Sequence, residues 1–196
     1  MTPIEIVIAM CDFLKSALKD FRIEDETGAE SPVTVYLFHL PEQAMSLMNP
    51  HDEDGYTPIP QDEAEEIMKS VYPAVIVRPL TYQAEDMDDM FSILTVSLTV
   101  GVFSRDPANV NGSWAVVNIL ERIRQVLEEK RIINDRCEVL SPLSWELYNE
   151  ELRPLWVGEM FSQWRIPNPY RTYGLSPSDD WQGDRFDFRK DEVTDG

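Results

Sequence analysis

Two cysteines, two histidines and 17 basic residues against 36 acidic ones are the scarcest features of this 196-residue chain. Cys11 and Cys137 lie in apolar-patterned segments, so the sequence predicts buried free thiols rather than a disulfide framework. With so few histidines, general-base and metal chemistry have little to work with. His39 closes an apolar run and reads as structural. His51 opens "HDEDG", which invites a calcium loop, but aligning on Gly55 puts Pro50 at position one and Gln61 at position twelve. Two required carboxylates are therefore missing, and the stretch reads as a solvated charge run. No glycine-rich phosphate cradle, HExxH, GxSxG or CxxC occurs, and Ser104, Ser113, Ser141 and Ser144 fall in turn or strand patterns. These absences predict a protein that is not an enzyme and needs no cofactor or metal.

The shortage of basic residues leaves a net charge of −19. Such a surface repels phosphate, which disfavours wrapping DNA or docking on an anionic membrane. Long apolar runs are missing too. Ile6 to Cys11 near the N-terminus is bounded by Glu5 and Asp12, which fits neither a signal peptide nor a membrane span and leads to an expectation of cytoplasmic synthesis. Hydrophobic residues still make up 43%, enough to bury one core.

What is present is a sequence of well-marked elements. Thr2, Pro3 and Glu5 form a capping box with proline at the first helical position. Ile4, Val7, Cys11, Leu14, Leu18 and Phe21 then recur at helical spacing. "RIEDETGAESP" reads as a solvated loop, and Val33 to Leu40 as a strand. Residues 41–70 read as a surface insertion, with one or two helical turns in "PEQAMSLM" and a short acidic helix in "QDEAEEIMKS".

From Val71 the pattern tightens. "YPAVIVRPL" is a short strand closed by Pro79, and "TYQAEDMDDM" an acidic connection. Phe91 to Ser104 alternates strictly, with Leu94, Val96, Leu98, Val100 and Val102 facing one way and Thr95, Ser97 and Thr99 the other. The short link predicts antiparallel pairing of these two strands. Trp114 to Ile133 is a helix with a stripe of Val116, Ile119, Leu120, Ile123, Val126 and Leu127. Val139, Leu143, Trp145 and Leu147 alternate in a further strand, and Trp156 to Ile166 is the last. Residues 168–196 show no sustained period and are expected to be mobile or ordered against a partner. Together these predict an α+β fold: a single domain over 1–167, with a central, mostly antiparallel sheet flanked by two main helices on one face.

Two constellations remain. "EDMDD", with Glu85, Asp86, Asp88 and Asp89, offers paired carboxylates, but only Arg78 is near in sequence as a partner. A hairpin loop held open by its own charge is the simpler reading. Three tryptophans, Trp145, Trp156 and Trp164, crowd two adjacent strands. The core is expected to take Trp145, leaving Trp156 and Trp164 as an exposed aromatic patch of the kind that marks a protein–protein interface.

The block from Tyr72 to Pro167 resembles the tail terminator (tail completion) proteins of long-tailed bacteriophages and prophages. The residues that carry the likeness are "YPAVIVRPL", the acidic spacer, the strand closing in "VGVFS", "GSWAVVNILERIRQVLEEKRII" and "PLSWELYNEELRPLWVGEMFSQWRIP". The resemblance implies a virion protein of the tail or neck, made in the host cytoplasm. It would assemble as a homo-oligomeric, commonly hexameric ring that caps the tail-tube protein, stops its polymerisation and meets a head-side connector. DNA would pass through the lumen without specific binding. On that reading the acidic Thr81–Met90 hairpin of one copy is neutralised by Arg78, Arg105 or Arg153 of the next. The residues 41–70 and the tail after Pro167 depart from the family pattern. Other readings of the chain are a related head–tail connector or stopper protein, an enzyme with Glu85, Asp86 or His51 in a cleft, and an acidic adaptor that mimics DNA.

Overall fold

The computed structural model describes residues 2–24, 30–48, 60–84, 91–105, 111–134, 137–148 and 154–167. Helix α1, Pro3–Ala17, begins as its capping box dictates: the Glu5 amide donates to Thr2 Oγ1 and the Thr2 amide donates to Glu5 Oε2 at 2.7 Å. Its buried face is Ile6, Val7, Met10, Cys11 and Leu14, continued by Leu18, whereas Ile4 is 55% exposed. The expected stripe was thus out of phase in the first turn. Ile4, Ile6, Val7 and Ile8 are all apolar, so that turn alone does not fix which side meets the sheet. After α1, Arg22–Glu24 (β1) and Glu30–Pro32 (β2) pair antiparallel where a solvated loop was expected. Three-residue strands are too short to show a period in sequence.

The main sheet contains β3 (Thr34–Leu37), β4 (Ala74–Ala84), β5 (Phe91–Phe103), β6 (Ile132–Ile133), β7 (Cys137–Leu147) and β8 (Leu155–Pro167), in the spatial order β3-β4-β5-β8-β7-β6. Among the described residues only β3 and β4 pair parallel. A parallel pair needs a crossover, and α2 (Glu42–Met48) and α3 (Gln61–Val71) lie in it. The residues 41–70, expected as a surface insertion, therefore carry a topological link. β4 does not stop at Pro79. It continues through a bulge between Pro79 and Thr81 and stays paired with β5 to Ala84. A bulge lets a strand carry proline without losing its partner.

Alternation along the strands divides the molecule into two cores. On one face α1 and α4 (Asn111–Lys130) cover Val75, Val77, Leu94, Val96, Leu98, Val100, Met160, Trp164 and Ile166. The whole expected stripe of α4 is buried, although the helix starts at Asn111 rather than Trp114, which is 59% exposed. Gly158 of β8 permits close approach: a Cβ there would lie 2.8 Å from Val116 Cγ1 and 2.9 Å from Leu120 Cδ1. On the other face a smaller cluster of Leu40, Ala44, Val71, Tyr72 and Ala74 packs with Tyr36, Ile67, Ile76, Phe103 and Leu155. The fold is an α+β domain, mostly antiparallel, with its two main helices on one face. Among the described residues no helix is long and apolar enough to cross a membrane.

Candidate functional site

The crossover cluster covers one end of the second sheet face, from β3 and β4 to Phe103 of β5 and Leu155 of β8. Beyond it, the side chains that alternate with the main core look outward across β4, β5, β8 and β7. Register brings them into rows, one of Arg78, Ser97, Phe161 and Ser144, the next of Thr99, Glu159 and Glu146. At their centre the Glu159 carboxylate accepts hydrogen bonds from the Ser97 hydroxyl and, at 2.6 Å, from the Tyr148 hydroxyl. Ser97 and Thr99 hydroxyls are 3.3 Å apart, and Arg78 Nη2 donates to Thr99 Oγ1 at 3.5 Å. Ser97 is buried beneath this network.

A shallow hollow forms here, lined by Arg78, Leu80, Ser97, Thr99, Tyr148, Val157 and Glu159. Leu80, Tyr148 and Phe161 are exposed by 51%, 46% and 40%, so apolar surface surrounds a polar, internally bonded centre. The bond to Glu159, reinforced by some burial, raises the Tyr148 phenol above its ordinary pKa and keeps it a donor at neutral pH. The Glu159 carboxylate accepts two hydroxyl hydrogen bonds, and the guanidinium of Arg78 donates to a hydroxyl. Among the described residues there is no group of three or more His, Cys, Asp or Glu side chains able to hold a metal ion. What the surface can do is bind another surface, through apolar contact at its rim and directional bonds at its centre.

Of the residues singled out from sequence, Arg78 belongs to this surface. Arg105 lies elsewhere, paired with Glu65 at 2.6 Å, and Glu65 also meets Lys69 at 2.9 Å. Those contacts, the Lys69 bond first, hold the Glu65 carboxyl below its usual range. The charge of Arg105 is thus engaged within its own chain. Glu85, Asp86, Asp88, Asp89 and Arg153, together with His51, lie outside the described residues.

The tryptophan assignment is corrected. Trp164, expected on an exposed patch, is fully buried; its Nε1 donates to Ser162 Oγ at 2.9 Å, and that hydroxyl donates to the Val96 carbonyl. It pairs with Leu94 and Val139 in mid-sheet, the deepest place available to a large ring. Trp145, expected in the core, packs half-buried against it on β7, its Nε1 donating to Glu121 Oε1 at 2.7 Å. Glu121 is held below the ordinary carboxylate range by its Arg124 bond first and the indole second. Trp156 is half-buried against the main core and the first turn of α4, where only glycine at 112 leaves space for its indole. The aromatic patch is therefore not built from these tryptophans.

Glu159, Tyr148, Leu80 and Phe161 were missed. Their signal was present in the polar phase of the alternating strands, where Ser97 and Thr99 mark the face opposite the core, but register is needed to bring four strands together. No family model matches this chain, and no match was found among curated proteins.

Proposed function

We propose that this chain is a structural ring subunit that caps a tail tube, ends its polymerisation and joins it to a head-side connector. Two things support the reading. The elements that resemble tail terminators follow one another as β4, β5, α4, β6, β7 and β8, and the five strands among them are neighbours in the sheet. The observation that carries it is the open face of those strands, with Leu80, Tyr148 and Phe161 around the Arg78–Thr99–Ser97–Glu159 network.

Ring closure needs a heterologous contact, two different patches that repeat about an axis. In this reading one patch is the open face, and the other is the acidic hairpin of the next copy, with Glu85, Asp86, Asp88 and Asp89 approaching Arg78. Burying exposed Leu80 and Phe161 supplies apolar contact against the mutual repulsion of copies carrying −19 each. Carboxylates around the lumen would let a duplex slide through without being gripped.

The experiment is tube assembly with the purified tube protein of the same particle. Wild-type chain is expected to give tubes of limited length with a density cap at one end in negative-stain images, and Arg78→Glu to give long, uncapped tubes while its thermal unfolding stays within a few degrees of wild type. Tubes that elongate unchecked with wild-type chain would refute the capping role. Caps formed normally by Arg78→Glu would refute the assignment of the face.

A further inference from the structure

The main sheet is open along part of both its edges. β3 stands beside Ala74–Val77 of β4, and among the described residues no strand lies beside Leu80–Ala84 on the side away from β5. At the other edge β6 stands beside Cys137 and Glu138 of β7, and among the described residues none lies beside Leu143–Leu147 on the side away from β8. The two open runs are equal in length, and each begins just after a proline at a shift of register, Pro79 in β4 and Pro142 in β7. Proline has no amide hydrogen to give a ladder, so these runs are the parts of the two edges able to accept a strand.

We infer that copies of the chain join edge to edge, Leu80–Ala84 of one adding to Leu143–Leu147 of the next, so that the sheet continues from subunit to subunit. Direction, facing and shape agree. Antiparallel steps from β4 to β5, β5 to β8 and β8 to β7 make β4 and β7 run in opposite senses. A copy rotated about an axis along the strands therefore presents its β4 antiparallel to β7. Full overlap of the runs sets Tyr82 opposite Trp145 and Thr81 opposite Glu146. Tyr82 is on the helix side, paired with Leu94 and donating to the hydroxyl of buried Ser92 at 3.2 Å. Trp145 is on the same side, paired with Met160 and packed against the main core. Tyr82, 42% exposed, thus comes to rest against a half-buried indole, whereas a slip of one residue sets it opposite Ser144 or Glu146 on the other face. In the full-overlap register β6 of one copy and β3 of the other lie beyond opposite ends of the ladder, and neither short strand stands in its way.

The same features favour a second copy as the occupant. An open edge at each side of one sheet gives two different patches that repeat about an axis, which is the contact that ring closure needs. Copies carrying −19 each repel one another, and within the two runs Glu146 is the one charged residue. The inference rests on the reading of the chain as a ring subunit, but not on the contact assigned to Arg78.

Cysteine trapping on the full chain, with tube protein present, tests it, because the native Cys11 and Cys137 are buried. Within one chain β5 and β8 separate the two edges by about 14 Å, too far for a disulfide. Thr81→Cys/Glu146→Cys is therefore expected to link copies into multiples of the 22.7 kDa subunit. The yield is expected to be at least about fivefold above either single variant and above Thr81→Cys/Ser16→Cys, in which Ser16 is exposed on α1. Thr81→Glu sets a carboxylate against Glu146 and is expected to shift the native mass toward one subunit, and adding Glu146→Lys to restore it. Wild-type particles of multiple-subunit mass whose cysteine variants trap no better than the controls would overturn the edge pairing and leave the ring reading standing. A native mass unchanged by Thr81→Glu would overturn it as well. A wild-type chain that stays at one subunit mass would overturn the ring reading and this inference with it.

Discussion

Tyr72 lies under the crossover, 8% exposed, with its ring so close to β5 that a Cβ at Gly101 would collide with it. Burial pushes its phenol from the ordinary 10.0 up to about 12. The folded chain thus holds this proton more tightly than the unfolded chain. The resulting stabilisation is complete below pH 10 and is lost as the pH climbs through about 12. A gap of that size corresponds to about 2–3 kcal/mol. Urea midpoints measured from pH 9 to pH 12 are expected to fall for wild type, and to fall less steeply for Tyr72→Phe. At the acidic end the sign reverses. Glu121 is depressed by Arg124 and then by the Trp145 indole, so its contribution is present at neutral pH and disappears as the pH drops through its lowered value. Trp145→Phe removes one of those donors and is expected to cost about 1 kcal/mol at neutral pH, with Glu121 titrating higher by carboxylate-resolved NMR. Trp164→Ala is expected to cost about 3–5 kcal/mol in urea denaturation, since the indole fills mid-core and bonds Ser162.

At the scale of elements, the close approach of α4 to β8 rests on Gly158. A side chain there meets Val116 and Leu120 on one side and the Glu146 carbonyl at 3.1 Å on the other. Gly158→Ala is therefore expected to lower stability by about 1–3 kcal/mol through overpacking, measured as a fall in the urea midpoint without a change in slope. This is also where the legibility of the sequence is clearest. Period two made β5 readable to within a residue at its end, Phe103 rather than Ser104, and the helical stripe of α4 is buried as expected. Elements lacking so regular a pattern were misread. β1 and β2 are three residues each, and Ile4, Ile6, Val7 and Ile8 put apolar side chains on more than one side at the start of α1. Pro79 looked like a stop because the bulge that accommodates it is set by pairing with β5. The second core was invisible for a related reason. Leu40, Ala44 and Tyr72 lie far apart in sequence from Phe103 and Leu155, and the parallel β3–β4 link together with the antiparallel β4–β5–β8 pairing brings them together.

At the scale of the whole molecule the candidate surface is a product of topology. Arg78 was singled out as a cation near an acidic loop, but Glu159 and Tyr148 join it only because β8 lies between β5 and β7. The same order puts Trp164, expected on an exposed patch, at the centre of the sheet, and leaves Trp145 partly buried against the same core. The account rests on the chain working through association of copies, with the open face as one half of the contact. Its most direct test is the native mass of the particle in solution, with and without the tube protein. The account predicts a particle that is a fixed multiple of the 22.7 kDa subunit, six on the family resemblance, present at least when tube protein is added. A species that stays at one subunit mass under both conditions would contradict it.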